Sequence, residues 1–307
     1  SLSISITGVP DGARLNPGTE GENGKWTVSP EQLPLVCILP PEDFSGEINM
    51  SLVATTTEAD GGDTEVVSQD FSVTVEAVAD APDLEVAAAS GDEDSAIGLD
   101  INAALTDIDG SEVLSITIGG VPDGATLSAG VVNEDGSVTL TPEQLDELTI
   151  TPPADSDEDF ALTVTATSQD GDDTATSTAT LNVSVDAVAD TPTLTTAAAS
   201  GDEDTAIPLD ITAGLTDTDG SEVLSITVGG IPAGAALSAG TVNEDGTVTL
   251  SPDQLQNLTI TPPEDSGADF SLSVTATSQD GTSTATTSGT IDVTVDAVAD
   301  APDLTTV

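Results

Sequence analysis

Apolar and polar residues alternate one for one through much of this chain. Leu-Ser-Ile-Thr-Ile at 114–118, Leu-Thr-Val-Thr at 162–165, Ser-Val-Thr-Ala-Thr at 273–277 and Ile-Asp-Val-Thr-Val at 291–295 all keep a period of two. That period sends every second side chain to one face, as in a strand with one side buried. Turn-forming pairs separate such runs: Asp109-Gly110, Asp135-Gly136, Pro152-Pro153 and Asp170-Gly171; Asp, Gly and Pro favour turns for local backbone reasons. The run Pro-Glu-Gln-Leu-Asp-Glu-Leu at 142–148 is the one helical hint, long enough for a single turn. Many short strands between closely spaced turns predict an all-β sandwich.

The pattern recurs along the chain. Val-Ala-Asp-Ala-Pro-Asp stands at 78–83 and 298–303, and Val-Ala-Asp-Thr-Pro-Thr at 188–193. The repeat is about 110 residues long, and roughly 78 positions are identical between 83–192 and 193–302 without gaps. A unit of that length matches one Ig-like sandwich. The predicted organisation is a set of tandem Ig-like domains in a linear rod. A partial repeat at 1–80 lacks its first two strands, repeats follow at 81–190 and 191–302, and 303–307 begins another. Ser1 aligns near Val113, so the first copy is either cut at a boundary or a split domain completed by a strand partner. The connection at 185–191 has no Gly or Ser, unlike a flexible tether, and would hold neighbours semi-rigidly. A last strand of 10–12 residues makes each sandwich about 40 Å long.

Charge changes the picture most. Fifty-six acidic side chains face two basic ones, Arg14 and Lys25, for a net charge of −54. From 83 to 307 there is no Lys, Arg or His, so no carboxylate there has a protein cation to pair with. A compact body so charged repels itself unless salt or bound cations intervene. Nucleic acid and direct membrane insertion are excluded as partners on charge and on the lack of a long apolar run. The chain is still 37% hydrophobic, enough to build cores and too much for an acidic disordered tail. One cysteine allows no intrachain disulfide, and Cys37, within the apolar run 35–39, reads as a small buried hydrophobe. Ser1 in place of Met and the lack of a leader point to a piece of a longer protein. Absent His and Tyr, one Lys, 2% aromatics and the repetition itself argue against an enzyme.

The acids gather at four places per repeat: Gly-Asp-Glu-Asp (91–94, 201–204), Thr-Asp-x-Asp-Gly-Ser-Glu (106–112, 216–222), the segment after Pro-Pro, and the linker. In a sandwich whose last two strands form a hairpin, the last strand ends, and the strand before it begins, at the pole facing the next repeat. The post-Pro-Pro loop and Gly-Asp-Glu-Asp then lie at that pole. Asp-x-Asp-Gly lies at the opposite pole, facing the preceding linker. One junction would collect Glu93, Asp94, Asp155, Asp157, Asp186, Asp190, Asp217 and Asp219. The same logic names Glu42, Asp43, Glu76, Asp80, Asp107 and Asp109 before it, and Glu203, Asp204, Asp265, Asp296 and Asp300 after it. Such clusters offer the 6–8 oxygen ligands that Ca2+ takes, fit the tighter octahedron of Mg2+ less well, and lack the His or Cys of transition-metal sites.

Asp-x-Asp after the second strand, acids after the first, acids before the penultimate strand and a linker ending Asp-Ala-Pro resemble the calcium sites of cadherin-type repeats. Thr-Asp-x-Asp-Gly-Ser-Glu, Leu-Thr-Ile-Thr-Pro-Pro, Thr-Ala-Thr-Ser-Gln-Asp-Gly and Val-Asp-Ala-Val-Ala-Asp-Ala-Pro resemble the cadherin-like or Ig-like repeats of giant bacterial RTX-type adhesins across essentially the whole chain. The resemblance implies type I secretion, a cell-surface location, bound calcium, adjacent repeats as partners, and a role in attachment and biofilm formation. Two departures stand out. Val188 and Ala189 occupy linker positions where cadherins place side-chain oxygens, and the glycine-rich calcium nonapeptides are absent, which implies an extender region.

Simpler readings compete. Asp107 with Asp109, and Asp217 with Asp219, could merely stabilise turns. Asp170, Asp172 and Asp173 could form a separate loop site, which Asp280-Gly-Thr-Ser does not repeat. The Thr-rich strand 174–180 could be a sugar- or ice-binding face, although threonine is simply a good strand residue. At the level of function, repeats that themselves bind a glycan, protein or surface, or an acidic surface-layer or halophilic wall protein, are the alternatives to an extender.

Overall fold

The computed structural model describes residues 1–107, 110–217 and 220–299; Asp109, Asp219, Asp300 and the segment 303–307 lie outside them. The chain is all-β, in tandem β-sandwiches. In the second copy a six-stranded sheet runs in the order Val131–Val132, Val138–Leu140, Val113–Gly119, Phe160–Asp170, Asp173–Asp186, Ala89–Asp92. Against it lie the pair Asp83–Val86 and Ile101–Ala104 and the three strands Ile97–Gly98, Thr149–Thr151 and Thr126–Leu127. The third copy repeats this arrangement.

The two-residue period decides which side chains face inward. Leu162, Val164 and Ala166 are fully buried, and so are Ile116 and Ile118 on the strand beside them. Leu181, Leu148 and Ile150 close the core from the other elements. Each Leu, Ile or Val among them contributes about 1.5–3 kcal/mol by leaving water. The long hairpin Phe160–Asp170 and Asp173–Asp186 spans the sandwich from pole to pole in unbroken antiparallel register.

The first strand divides. Asp83–Val86 pairs antiparallel with Ile101–Ala104, whereas Ala89–Asp92 crosses to the other sheet and runs parallel to Asp173–Asp186. The crossing demands small residues: a Cβ on Gly201 would come within 2.9 Å of Ile207. The helical hint at 142–148 becomes one 3-10 turn, Pro142–Leu145, in which the Thr141 N–H donates to Gln144 Oε1 at 2.9 Å.

The first copy has one five-stranded sheet, ordered Thr19–Glu20, Trp26–Val28, Leu2–Thr7, Gly46–Thr57, Thr64–Val75. Facing it is the pair Arg14–Asn16 and Cys37–Leu39. Its core is smaller: Ile6, Leu15, Trp26, Ile48 and Met50. Cys37 corrects the reading of the apolar run. It is exposed, and its S–H donates to the Asn16 carbonyl at 3.1 Å. Along Cys37–Leu39 the alternation turns Ile38 toward the core and Cys37 and Leu39 away from it.

Candidate metal centres at the junctions between copies

At the far pole of the second copy, three elements converge on the start of the linker. The Glu93 N–H donates to the Asp186 carbonyl at 3.0 Å. The Val188 N–H donates to Glu93 Oε1 at 2.6 Å. The Asp155 N–H donates to Asp94 Oδ1 at 3.0 Å. Asp94 and Asp155 both have positive φ, 53° and 57°. Asp tolerates that left-handed region better than most residues.

The third copy grips the rest of the linker. The Asp190 N–H donates to the Glu222 carboxylate, and the Ser278 hydroxyl donates to the Asp190 carbonyl. The Ala189 N–H donates to Ser283 Oγ at 3.1 Å. Thr216 and Thr287 hydroxyls donate to the Thr191 and Pro192 carbonyls at 3.2 and 2.6 Å. Without Gly or Ser of its own, the linker is held by side chains of both neighbours.

Carboxylates meet where these grips meet. Asp94, Asp155 and Asp190 each place one oxygen within 4.8 Å of the others. Burial, then a hydrogen bond shared with the Asp280 carboxyl and the charges of Asp280 and Asp94, push the Glu93 carboxyl up to about 7, against the pull of the Val188 N–H. Burial also raises Glu222, with the charges of Asp217, Asp190 and Asp280 adding to it. Glu93 Oε2, Glu222 Oε2 and Asp280 Oδ2 are buried with no hydrogen-bond partner. Buried carboxylates without partners are costly, and either a proton or a compensating cation relieves them.

The first junction repeats the plan with fewer acids. Asp43, Asp80 and Asp107 bring one oxygen each within 4.8 Å. The Asp80 N–H donates to Glu112 Oε1 at 2.6 Å, leaving Glu112 Oε2 buried and unpartnered. Asp173 Oδ2 accepts the Ala79 N–H at 3.0 Å, the place that Ser283 fills at the next junction. At the outer pole of the third copy, the Asp265 N–H donates to Asp204 Oδ1 at 3.0 Å and the Val298 N–H to Glu203 Oε1 at 2.8 Å. That half is built as in the second copy.

Of the residues named from sequence, Asp43, Asp80, Asp94, Asp107, Asp155 and Asp190 enter these three-carboxylate groups. Glu93, Asp217, Glu203, Asp204 and Asp265 stand in the equivalent grips. Glu42, Glu76, Asp157, Asp186 and Asp296 are exposed and join neither group. Asp186 and Asp296 instead offer backbone carbonyls to Glu93 and Glu203. Asp109, Asp219 and Asp300 lie outside the described residues.

Glu112, Glu222 and Asp280 were not among the candidate ligands and Asp170 was read only as part of a separate loop site; all four are buried. Asp170 and Asp173 belong to the junction rather than to a separate loop site: Asp170 Oδ1 accepts from Ser45 at 3.4 Å across it. A signal existed. Asp170 continues the inward parity of Leu162, Val164, Ala166 and Ser168, and Glu222 that of Leu224, Ile226 and Val228. An acid on a core-facing position at a strand end has to answer to something.

The donors are hard oxygens only, anionic, and partly desolvated. They fit Ca2+, which takes irregular sets of carboxylates and carbonyls, better than Mg2+ or a transition metal. The chain's two cations, Arg14 and Lys25, are exposed in the first copy.

No family model matches the chain, and no curated protein does. Among solved structures it is similar to an endo-fucoidan hydrolase of glycoside hydrolase family 107 at 17% identity, over 95% of this chain and 39% of that one, with a TM-score of 0.26. It is similar to the Drosophila N-cadherin EC1-3 domains at 17% identity, over 95% of this chain and 89% of theirs, with a TM-score of 0.29. The chicken CNTN1 FN1-FN3 domains match at 12% identity, over 95% and 90%, with a TM-score of 0.28. The chain thus spans well under half the length of the fucoidan hydrolase. At such scores the superpositions decide nothing, and the fold rests on the strand order itself.

Proposed function

We propose that this chain is a calcium-rigidified extender from a large bacterial cell-surface adhesin of the RTX type, secreted by a type I route. It would hold ligand-binding domains away from the cell for attachment and biofilm formation. The observation that carries the calcium reading is the second junction. There acids from the second copy (Glu93, Asp94, Asp155), the linker (Asp190) and the third copy (Asp217, Glu222, Asp280) converge, and three buried oxygens among them lack partners. Glu93, Asp94, Asp155, Asp190, Asp217, Glu222 and Asp280 would hold Ca2+ there, and Asp43, Asp80, Asp107, Glu112 and Asp170 at the first junction. A bound cation supplies the positive charge that the chain lacks and ties two sandwiches to one linker. The adhesin assignment rests on the resemblance of the repeat motifs and on the serial arrangement of sandwiches.

Calcium titration by calorimetry in high NaCl tests this. Saturable binding that Asp80→Asn and Asp190→Asn each weaken is the result expected. Heat that NaCl abolishes entirely, or that both variants leave unchanged, would leave the acid as a solvation device of a salt-adapted wall protein.

A further inference from the structure

The second and third copies hold a cleft of the same build, at the edge of the large sheet opposite Ala89–Asp92 and its counterpart. It measures about 380 Å³ in the second copy and about 330 Å³ in the third. Leu127, Ala129, Val132 and Val138 wall the first of these, and Leu237, Ala239, Val242 and Val248 the second. Asp123 and Thr126 are the polar side chains in the second copy's cleft, and Ala233 and Ala236 replace them in the third. Val132 and Val242 line the clefts yet remain 72% and 73% exposed.

The first copy shows what such a cleft takes. Trp26 pairs with Ile6 as Val138 pairs with Ile118 and Val248 with Val228. One strand position therefore carries an indole in the first copy and an isopropyl group in the others. A Cβ on Gly18 would lie 3.2 Å from Trp26 Cε3, and one on Gly130 would lie 2.4 Å from Val138 Cγ1, so a glycine covers that position in both copies. Trp26 packs with Ile6 and Leu15 in the core. Beside the ring Ala13 and Leu15 are buried, whereas their counterparts Ala125 and Leu127, and Ala235 and Leu237, are only half-buried. Where the ring is present the walls close on it; where valine replaces it, a cleft is left.

Neither repeat can fill that cleft with a ring of its own. Phe160 and Phe270 are the only aromatic residues from 83 to 307, and each packs against its own core. An apolar cavity of about 150 Å³ already takes benzene, and small-molecule sites run from about 300 Å³ upward. With no Lys, Arg or His from 83 to 307, nothing there offsets the charge of an anionic ligand.

We infer that the clefts of the second and third copies are binding sites for a small uncharged aromatic molecule of indole size, one per repeat. The ring would lie against Leu127 and Val138, or Leu237 and Val248, in the place that Trp26 fills in the first copy, and would cover Val132 or Val242. Burial of apolar surface supplies the affinity. These sites share no residue with the junction carboxylates and stand whether or not those hold calcium.

The test titrates indole into the intact chain, labelled with carbon-13 at its Leu and Val methyl groups, in EDTA, and follows it by NMR. A bound ring shifts the methyl groups that it touches. Expected are saturable shifts at Leu127, Val132 and Val138 and at Leu237, Val242 and Val248, with a dissociation constant of about 1 mM or lower, as a ligand of this size allows. Val9 and Leu15 of the first copy should stay still, because Trp26 already fills their cleft. Indole-3-acetate, the anionic analogue, should bind at least about tenfold more weakly at low salt. Val138→Trp should abolish the shifts of the second copy alone, and Val248→Trp those of the third alone; the wild-type titration decides by itself if either variant does not fold. No saturable shift up to the solubility of indole, equal shifts at Leu15, shifts that the folded tryptophan variants leave in place, or an anionic analogue bound as tightly would each overturn the inference.

Discussion

Glu93→Gln should change stability in opposite directions with and without calcium. Glu93 is 3% exposed, and one of its oxygens has no partner. Its carboxyl is held near 7 instead of 4.5, so the folded chain keeps that proton more tightly than the unfolded one. The stability this gives is complete below the unfolded value and is lost as pH rises through 7. At about 1.36 kcal/mol per pH unit, the ionised side chain costs the metal-free fold about 3 kcal/mol at pH 8.5. Gln keeps an oxygen for the Val188 N–H and removes the charge. In EDTA at pH 8.5 the variant should therefore melt higher, by roughly 12–24 °C at about 4–8 °C per kcal/mol for a domain of this size. At pH 5.5 the gain should fall to less than about half. In millimolar calcium the same change removes an anionic ligand, and the variant should melt lower than wild type. Thermal unfolding by circular dichroism in the four buffers reads this directly. A shift of one sign in every buffer would mean that Glu93 is only a packed side chain. A gain in EDTA with no loss in calcium would remove it from the ligand set.

Three further outcomes follow from the same geometry. Asp190→Asn should lower calcium affinity at the second junction at least about tenfold while leaving the first junction unchanged, because charged ligands set the affinity of such sites; calorimetry resolves the two. Ser278→Ala removes the fully buried hydroxyl that holds the Asp190 carbonyl and should cost about 1–3 kcal/mol, measured by chemical denaturation in EDTA. Ile226→Ala opens a cavity at a fully buried position of the third core and should cost about 2–5 kcal/mol, with calcium affinity at the first junction unchanged.

The strands were legible because their alternation is strict. Ser-Val-Thr-Ala-Thr and Ile-Asp-Val-Thr-Val fall within Phe270–Asp280 and Ser283–Asp296. The meeting of Asp94, Asp155 and Asp190 followed from the direction of the first strand and the pairing of the last two as a hairpin. The split first strand did not, because Ala-Ala-Ala-Ser-Gly carries no periodic signal and the crossing depends on close approach to the strand at 97–98. Cys37 was misplaced because an apolar run was read as uniformly buried, when alternation still divides it. Asp280, Glu112 and Glu222 were overlooked, and Asp170 was assigned to a separate loop site, because acids in turns were weighed by motif; their parity with the core positions beside them was the better guide.

Small-angle X-ray scattering of the intact chain, in EDTA and in millimolar calcium at the same high NaCl, tests the central claim most directly. The junction carboxylates, as ligands, predict a longer and better-defined rod in calcium. Superimposable profiles in the two buffers would contradict calcium rigidification and leave the charge as solvation alone.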